Sequence, residues 1–337
     1  MARVGGYDAV PTVLPEAVVA SGGESEERSW QRRARRLLVG EGLSEMVSLS
    51  LTDAESNRQL PGFMGGALQP IDVRNPLSSE TGQLRLSPLS GLLRALRMNV
   101  DRGASFVGAF ELGKGYGLDA GGVPREPRAA ALLLHGTWPP RGVERSGPPV
   151  EFGDLKGIIG ALLAGFGIEE TRVRWRPTSA TPFLHPAQTA TVEVDGSPVG
   201  VLGALHPEIV QARDIAGETL LAELDLCGVA RYGPRRVTPK PLPRFPAVTR
   251  DLAVVVDETF HAGDIVEEIR ALSNPQIESV RLFDCYRGAP IPAGRKSLAY
   301  SVAYRAADRS LTDDEVNALH GTVLEHLRGR FTFEVRS

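Results

Sequence analysis

The chain has 337 residues, 42% of them hydrophobic, and a formal net charge of −3. That is enough apolar material for two or three domains of ordinary size, and the charge excludes a global basic field of the kind that gathers nucleic acid in bulk. Two cysteines far apart in sequence, Cys227 and Cys285, make neither a disulfide framework nor a metal motif. The N-terminus has no charged-then-apolar leader pattern, and no apolar stretch is long enough to span a bilayer, so a reducing, cytoplasmic setting is expected.

In chain order, the spacing of Trp30, Ala34, Leu37 and Leu38 predicts a helix over 25–42 closed by glycine. Its arginines, Arg28, Arg32, Arg33, Arg35 and Arg36, spread around the cylinder. They read first as a solvated face and second as a partner interface. "MVSLSL" (46–51) reads as a strand, with Thr52-Asp53 as a cap after it. An amphipathic helix is expected over 89–103, strands over 106–116 and 130–136, and a Gly/Pro-rich loop over 138–150. The next helix is expected over 152–168. Asp195-Gly196 supplies the turn of a hairpin, with a short helix and a strand over 219–226 after it. Hairpins and meanders mixed with helices argue for an antiparallel sheet with flanking helices rather than a Rossmann fold.

Five prolines in "YGPRRVTPKPLPRFPAVTRD" (232–251) mark a stiff, solvated linker. Beyond it the pattern is strand (251–257), helix (262–273), strand (277–288), strand (295–306), helix and strand. The second helix opens on a Thr312–Glu315 capping box. The order βαββαβ is a ferredoxin-like unit with both helices on one face of an antiparallel sheet. Alternation leaves Ala253, Val255, Asp284, Tyr286, Ser297, Ala299, Ser301, Thr332, Glu334 and Arg336 on the open face, and turns Phe283 and Cys285 inward. A flat face of small residues with a tyrosine, an arginine and an acid suits unstacked bases. The plainer reading is a solvated or domain-packed face.

Catalytic signatures are scarce. No phosphate-binding glycine loop or dinucleotide fingerprint occurs, and no Ser/His/Asp or Cys/His set assembles. His185 and His206 each precede proline and read as turn residues rather than metal ligands. Asp154, beside Lys156 at a helix start, reads as a cap rather than half of a catalytic pair.

Several stretches together resemble one family. "RNPLSSETGQLRLSPLSGLLRALRMNVDRG", "FVGAFELGKGY", "FGDLKGIIGALLAGFGI", "FLHPAQTATVEVDGSPVGVLGALHPEIV", "FPAVTRDLAVVVDE" and "VRLFDCYRGAPIPAGRKSLAYSVAY" resemble, in family order, the C-terminal part of the bacterial phenylalanyl-tRNA synthetase β subunit. The resemblance implies an α+β chain. Residues 1–22 would be the tail of a preceding domain and 23–235 a class II synthetase-like domain without an active site. Residues 236–250 would be a linker and 251–337 a ferredoxin-fold anticodon-binding domain. It implies an α2β2 assembly with an α subunit that holds the aminoacylating site and uses ATP and magnesium, and it implies tRNA(Phe) as the RNA. It carries Ala247, Asp284, Tyr286, Ser297 and Arg336 over as tRNA contacts, and the helix with Trp30, Leu37 and Leu38 as a subunit interface. No metal ligand, editing residue or catalytic residue carries over, since the acidic magnesium ligands of the family lie upstream of "ARVGGYDAVP", and Glu111 lacks the arginines an ATP clamp needs. The competing expectation is a stand-alone paralogue that binds a small molecule or nucleotide on a synthetase-like fold.

Overall fold

A computed structural model describes residues 2–11, 13, 22–138, 147–233 and 242–335. The chain divides into two compact units, residues 1–237 and 238–337.

In the first unit, Ser25 caps helix α1 (Glu26–Gly40), its hydroxyl accepting from the Arg28 amide at 3.3 Å. A two-residue strand β1 (Ser44–Glu45) comes next, then helices α2 (Ala54–Gln59) and α3 (Leu89–Val100). Strands β2 (Phe106–Lys114) and β3 (Arg128–Gly136) form a long hairpin, with helix α4 (Phe152–Gly165) after it. Then come β4 (Val173–Pro177), β5 (Leu184–Val194), β6 (Ser197–Leu205), helix α5 (Pro207–Ala212), β7 (Thr219–Asp225) and helix α6 (Leu226–Tyr232). The seven strands lie in the order β1-β2-β3-β7-β6-β5-β4; every pair is antiparallel except β1 with β2. The expected antiparallel sheet therefore carries one parallel edge.

Both faces of this sheet are covered. On one, Ala34 and Leu38 of α1 and Leu155, Ile159 and Leu162 of α4 pack on Phe110, Leu132 and Leu220. On the other, Leu89, Leu92, Leu93 and Leu96 of α3 pack on Val107, Leu133 and Leu221. Alternation along β2, β3 and β7 feeds one core and then the other, which is why these strands read as nearly continuous apolar runs. At the β5–β6 hairpin both Asp195 (φ 50°) and Gly196 (φ 78°) are left-handed, as a tight two-residue turn requires.

The predicted strand over 46–51 does not form. Strand pairing stops at Glu45 and resumes only at Leu51, although the Met46 amide still donates to the Phe110 carbonyl at 2.8 Å. Between them Ser48 turns in, while Val47 and Leu49 turn out to solvent with 90% and 69% exposure. Among the described residues no neighbouring strand completes the pairing that alternation alone suggests.

The second unit runs β8 (Val248–Asp257), α7 (Ala262–Ala271), β9 (Ile277–Tyr286), β10 (Arg295–Tyr304), α8 (Asp313–Arg330) and β11 (Glu334–Val335). Its sheet order is β9-β10-β8-β11, all antiparallel, so the βαββαβ reading holds. Leu252, Val254, Val256, Leu298, Tyr300 and Val302 face Ile265, Ile269, Val316, Val323 and Leu327 of the two helices. The capping box forms as expected: the Thr312 hydroxyl accepts from the Glu315 amide, and Glu315 accepts from the Thr312 amide at 2.9 Å. Of the expected linker, residues 236–241 lie outside the described residues. Residues 248–250 already belong to β8, because its ladder with β10 extends to a Val248–Tyr304 pair.

Candidate nucleic-acid interface

The helix-free face of the second unit is set by register. Across β8 and β10, Thr249 pairs with Ala303, Asp251 with Ser301, Ala253 with Ala299 and Val255 with Ser297. Across β10 and β9, Ala299 pairs with Asp284 and Ser297 with Tyr286. Asp284 and Tyr286 thus sit on the open face beside Ala299 and Ser297. Ser297 and Val255 are nevertheless buried: Val255 lies between Ser297 and Glu334. An ion pair of 2.6 Å from Arg295 to Glu334 crosses β8 at this corner. Ala247 is half-buried just before β8. Arg336, the remaining expected contact, lies outside the described residues.

Tyr286 is oriented by its own turn. Its hydroxyl donates to the Ala289 carbonyl at 2.7 Å, and Gly288 takes the left-handed backbone (φ 116°) that bends the chain back to it. The ring remains 41% exposed. Fixing the phenol to the main chain removes ring freedom that stacking would otherwise have to freeze.

Phe283 corrects the sequence reading. Alternation turns it inward with Cys285, but a β-bulge interrupts the register between Leu282 and Asp284. Leu282 pairs with buried Tyr300 and Asp284 with Ala299, which leaves Phe283 as the extra residue. Its ring is 52% exposed and lines a groove together with Thr249, Asp251, Arg281 and Ser301 of the open face. Cys285 pairs with Leu298 on the helix side, yet the edge position of β9 leaves it exposed.

The first unit holds its polar chemistry in the interior. Glu111 of β2, Ala131 of β3 and Glu223 of β7 form one row across three strands, on the face that α3 covers. Glu111 pairs with Arg85 at 2.7 Å and accepts from the Ser48 hydroxyl at 2.6 Å. Arg85 also donates to Ser48 at 2.7 Å and to the Lys114 carbonyl at 3.0 Å. Glu223 accepts from the Ser87 hydroxyl at 2.7 Å and from the amides of Phe63 and Met64. Burial raises the Glu223 carboxyl to about 7, against the lowering pull of those three donors. Gly62 has a left-handed φ of 75°, and a Cβ there would collide with the Glu223 carboxylate. The floor of the sheet is therefore filled by the chain's own segments. Arg85 spends its donors on Glu111, Ser48 and a carbonyl, so these residues do not fit an ATP phosphate clamp.

Sequence reading found Glu111 but missed Arg85, Ser87 and Glu223. Their partners come from segments with no shared periodicity, and "LRLS" (84–87) carries no local signal of an ion pair.

The other singled-out residues are structural. His206 Nδ1 accepts from the Glu208 amide at 3.3 Å and His185 Nδ1 from the Ala187 amide at 3.1 Å, each closing a turn. Asp154 accepts from the Glu151 amide at 2.7 Å as the second half of a capping box. Lys156 lies over the Trp175 ring at 5.2 Å, and burial lowers its pKa. In the arginine cluster, Arg35 chelates Glu45 at 2.5 and 2.7 Å and Arg33 covers Phe166 at 5.5 Å, so part of the face is used internally. Leu38 is wholly buried in its own core, which corrects its assignment to a subunit interface; Trp30 and Leu37 are half-buried against the same core. Among the described residues no cluster of acids, histidines and cysteines is arranged to hold a metal, and no helix is long and apolar enough to cross a membrane.

Residues 10–226 match the family described as the phenylalanyl tRNA synthetase beta chain CLM domain, and residues 243–336 match the ferredoxin-fold anticodon binding domain. The chain belongs to the phenylalanyl-tRNA synthetase β-chain family. Among the family's curated members, the phenylalanine–tRNA ligase beta subunit of Symbiobacterium thermophilum is 37% identical over 97% of this chain and 37% of its own length. Those of Latilactobacillus sakei and Moorella thermoacetica are each 34% identical over 100% of this chain, and 41% and 42% of theirs. The chain thus spans about two fifths of the length of the curated relatives it matches. A solved pyrrolysyl tRNA synthetase of Desulfitobacterium hafniense aligns over 60% of this chain and 65% of its own, with 14% identity and a TM-score of 0.47.

Proposed function

We propose that the chain is the scaffolding and tRNA-binding part of a phenylalanine–tRNA ligase β subunit. It packs on a catalytic α subunit, expected as α2β2, and contacts the anticodon region of tRNA(Phe) through the open sheet face of its second unit. The contacts are Asp284, Tyr286 and Ala299, with Ala247 and Ser297 at the margins, and Arg336 is included on the family resemblance alone. The observation that carries this reading is the pairing of Tyr286, its ring held by its own turn, with a row of small residues on a helix-free sheet. Bases stack on such a ring, and small neighbours leave room for them.

The first unit contributes no chemistry in this reading. Its two sheet acids are neutralised or hydrogen-bonded from within, so adenylate formation, with ATP and magnesium, belongs to the α subunit. The apolar surface for that partner is centred on Val47 and Leu49, which the broken strand turns outward, with half-buried Trp30 and Leu37 nearby in sequence. Isolated exposed residues are ordinary on any surface. Two of them alternating beside a polar network are a better anchor than α1, whose apolar stripe is already used.

The test is a tRNA(Phe) titration and an aminoacylation assay on the chain co-assembled with a bacterial α subunit. Tyr286→Ala is expected to lower tRNA affinity while leaving assembly intact. Unchanged affinity and unchanged aminoacylation would remove the open face from the reading.

A further inference from the structure

The bulge that turns Phe283 outward gives the open face a second aromatic group, well away from Ser297. Ser301 pairs with Asp251 and Arg281, whereas Ser297 pairs with Val255 and Tyr286. Four residues of strand separate the two rows, roughly 13 Å at the rise of an antiparallel strand, and Phe283 itself, in the bulge between the Tyr300 and Ala299 rungs, lies three residues or roughly 10 Å from Tyr286. A single base cannot touch both. Beside the Ser301 row lies a shallow groove of about 360 Å³, shaped by Phe283, Arg281, Asp251, Ser301 and Thr249.

Its arginine is uncommitted. Arg250, Arg287, Arg295, Arg305, Arg309 and Arg330 of this unit all engage carboxylates. Exposed Arg281 forms no hydrogen bond or ion pair among the described residues. A guanidinium with all its donors free, two residues from an exposed phenyl on the same face, is suited to an aromatic anion in a way that a solvated sheet is not.

We propose that this groove is a second single-base site of the RNA platform, distinct from the one at Tyr286. The base stacks on Phe283, Arg281 pairs with an adjoining phosphate, and Asp251 accepts from an exocyclic amino group. Adenine, cytosine and guanine carry such a group and uracil does not, so the site discriminates against uracil. The proposal rests on the reading that the open face binds RNA; the groove, its free arginine and the bulge set its place.

The experiment uses the chain assembled with an α subunit. The probes are an anticodon stem-loop of a bacterial tRNA(Phe) and versions of it with an abasic nucleotide at each loop position in turn. Phe283→Ala is expected to weaken binding of the intact loop roughly fivefold or more, the range for a lost base stack, and Phe283→Tyr to restore it. That loss should vanish at one abasic position, different from the position that cancels Tyr286→Ala. Arg281→Ala should lower affinity and reduce the salt slope by about one charge. Phe283 is half-exposed, so its variants are expected to melt with the parent protein, and a circular dichroism melt checks this. If Tyr286→Ala weakens binding while Phe283→Ala and Arg281→Ala do not, the second site is overturned and the open-face reading stands. If none of the three changes binding, both fall. If Phe283→Ala and Arg281→Ala spare RNA affinity but weaken assembly with the α subunit, the groove is a protein contact and the proposal is wrong.

Discussion

Arg85 Nη1 lies 2.7 Å from Glu111 Oε1, with both side chains only 4% exposed. Removing one member of such a pair strands a buried charge, which typically costs about 3–5 kcal/mol, whereas replacing both with apolar groups is often close to neutral. Glu111→Ala should therefore unfold at markedly lower urea concentration. Arg85→Met combined with Glu111→Leu should recover most of that loss. A double-mutant cycle by urea denaturation checks it, and additive losses would mean that the two residues do not act as a pair.

Glu223 makes the stability of the first unit depend on pH. Its folded pKa, about 7, lies above the ordinary carboxyl value of 4.5 because burial disfavours the charged form. The folded state therefore holds its proton more tightly than the unfolded state. The contribution is fully present below about 4.5 and is lost as pH rises through about 7. The span corresponds to at most about 3 kcal/mol. Urea midpoints measured between pH 5 and pH 8 are expected to fall in the parent protein and to flatten in Glu223→Gln.

Leu38 and the pair Val47 and Leu49 should separate stability from assembly. Leu38 is fully buried, so Leu38→Ala should cost about 2–5 kcal/mol of stability. Val47 and Leu49 are exposed, so changing both to serine should leave the melting temperature nearly unchanged. The same double change should weaken association with the α subunit in analytical sizing. An intact complex would move the partner surface elsewhere.

Tyr286 offers a graded test of the RNA face. Tyr286→Phe keeps the ring but loses the 2.7 Å hydrogen bond to the Ala289 carbonyl, so a small loss of tRNA affinity is expected. Tyr286→Ala removes the stack as well. It should weaken binding roughly tenfold, within the 1–3 kcal/mol of one stacked base. Filter binding at two salt concentrations should give both variants the parent's salt slope, since neither the stack nor the internal hydrogen bond neutralises a phosphate, and the size of the loss separates the two contributions. Equal losses in the two variants would mean that the hydrogen bond, rather than the ring, matters.

Short-range pattern in the sequence determined the elements that need only their own neighbours. The Thr312–Glu315 box, the Asp195-Gly196 turn, the turn histidines and the βαββαβ order all depend on residues a few positions apart, and all appear as expected. Alternation also assigned the faces of β8 and β10 correctly, because their ladder runs without interruption from Val248 to Asp257. Tertiary structure decided the rest. One extra residue in β9 reversed the phase of alternation and moved Phe283 from core to surface, since period-two logic holds only while each residue has a partner across the ladder. Val47 and Leu49 alternate like a strand but face solvent for want of a neighbouring strand, and the arginine-bearing helix spent Leu38 on its own core. Arg85 found Glu111, and Ser87 found Glu223, across 26 and 136 positions of sequence. Such pairs form because a buried charge or hydrogen-bonding group must meet whatever partner the packed chain brings to it, and no local spacing encodes that meeting.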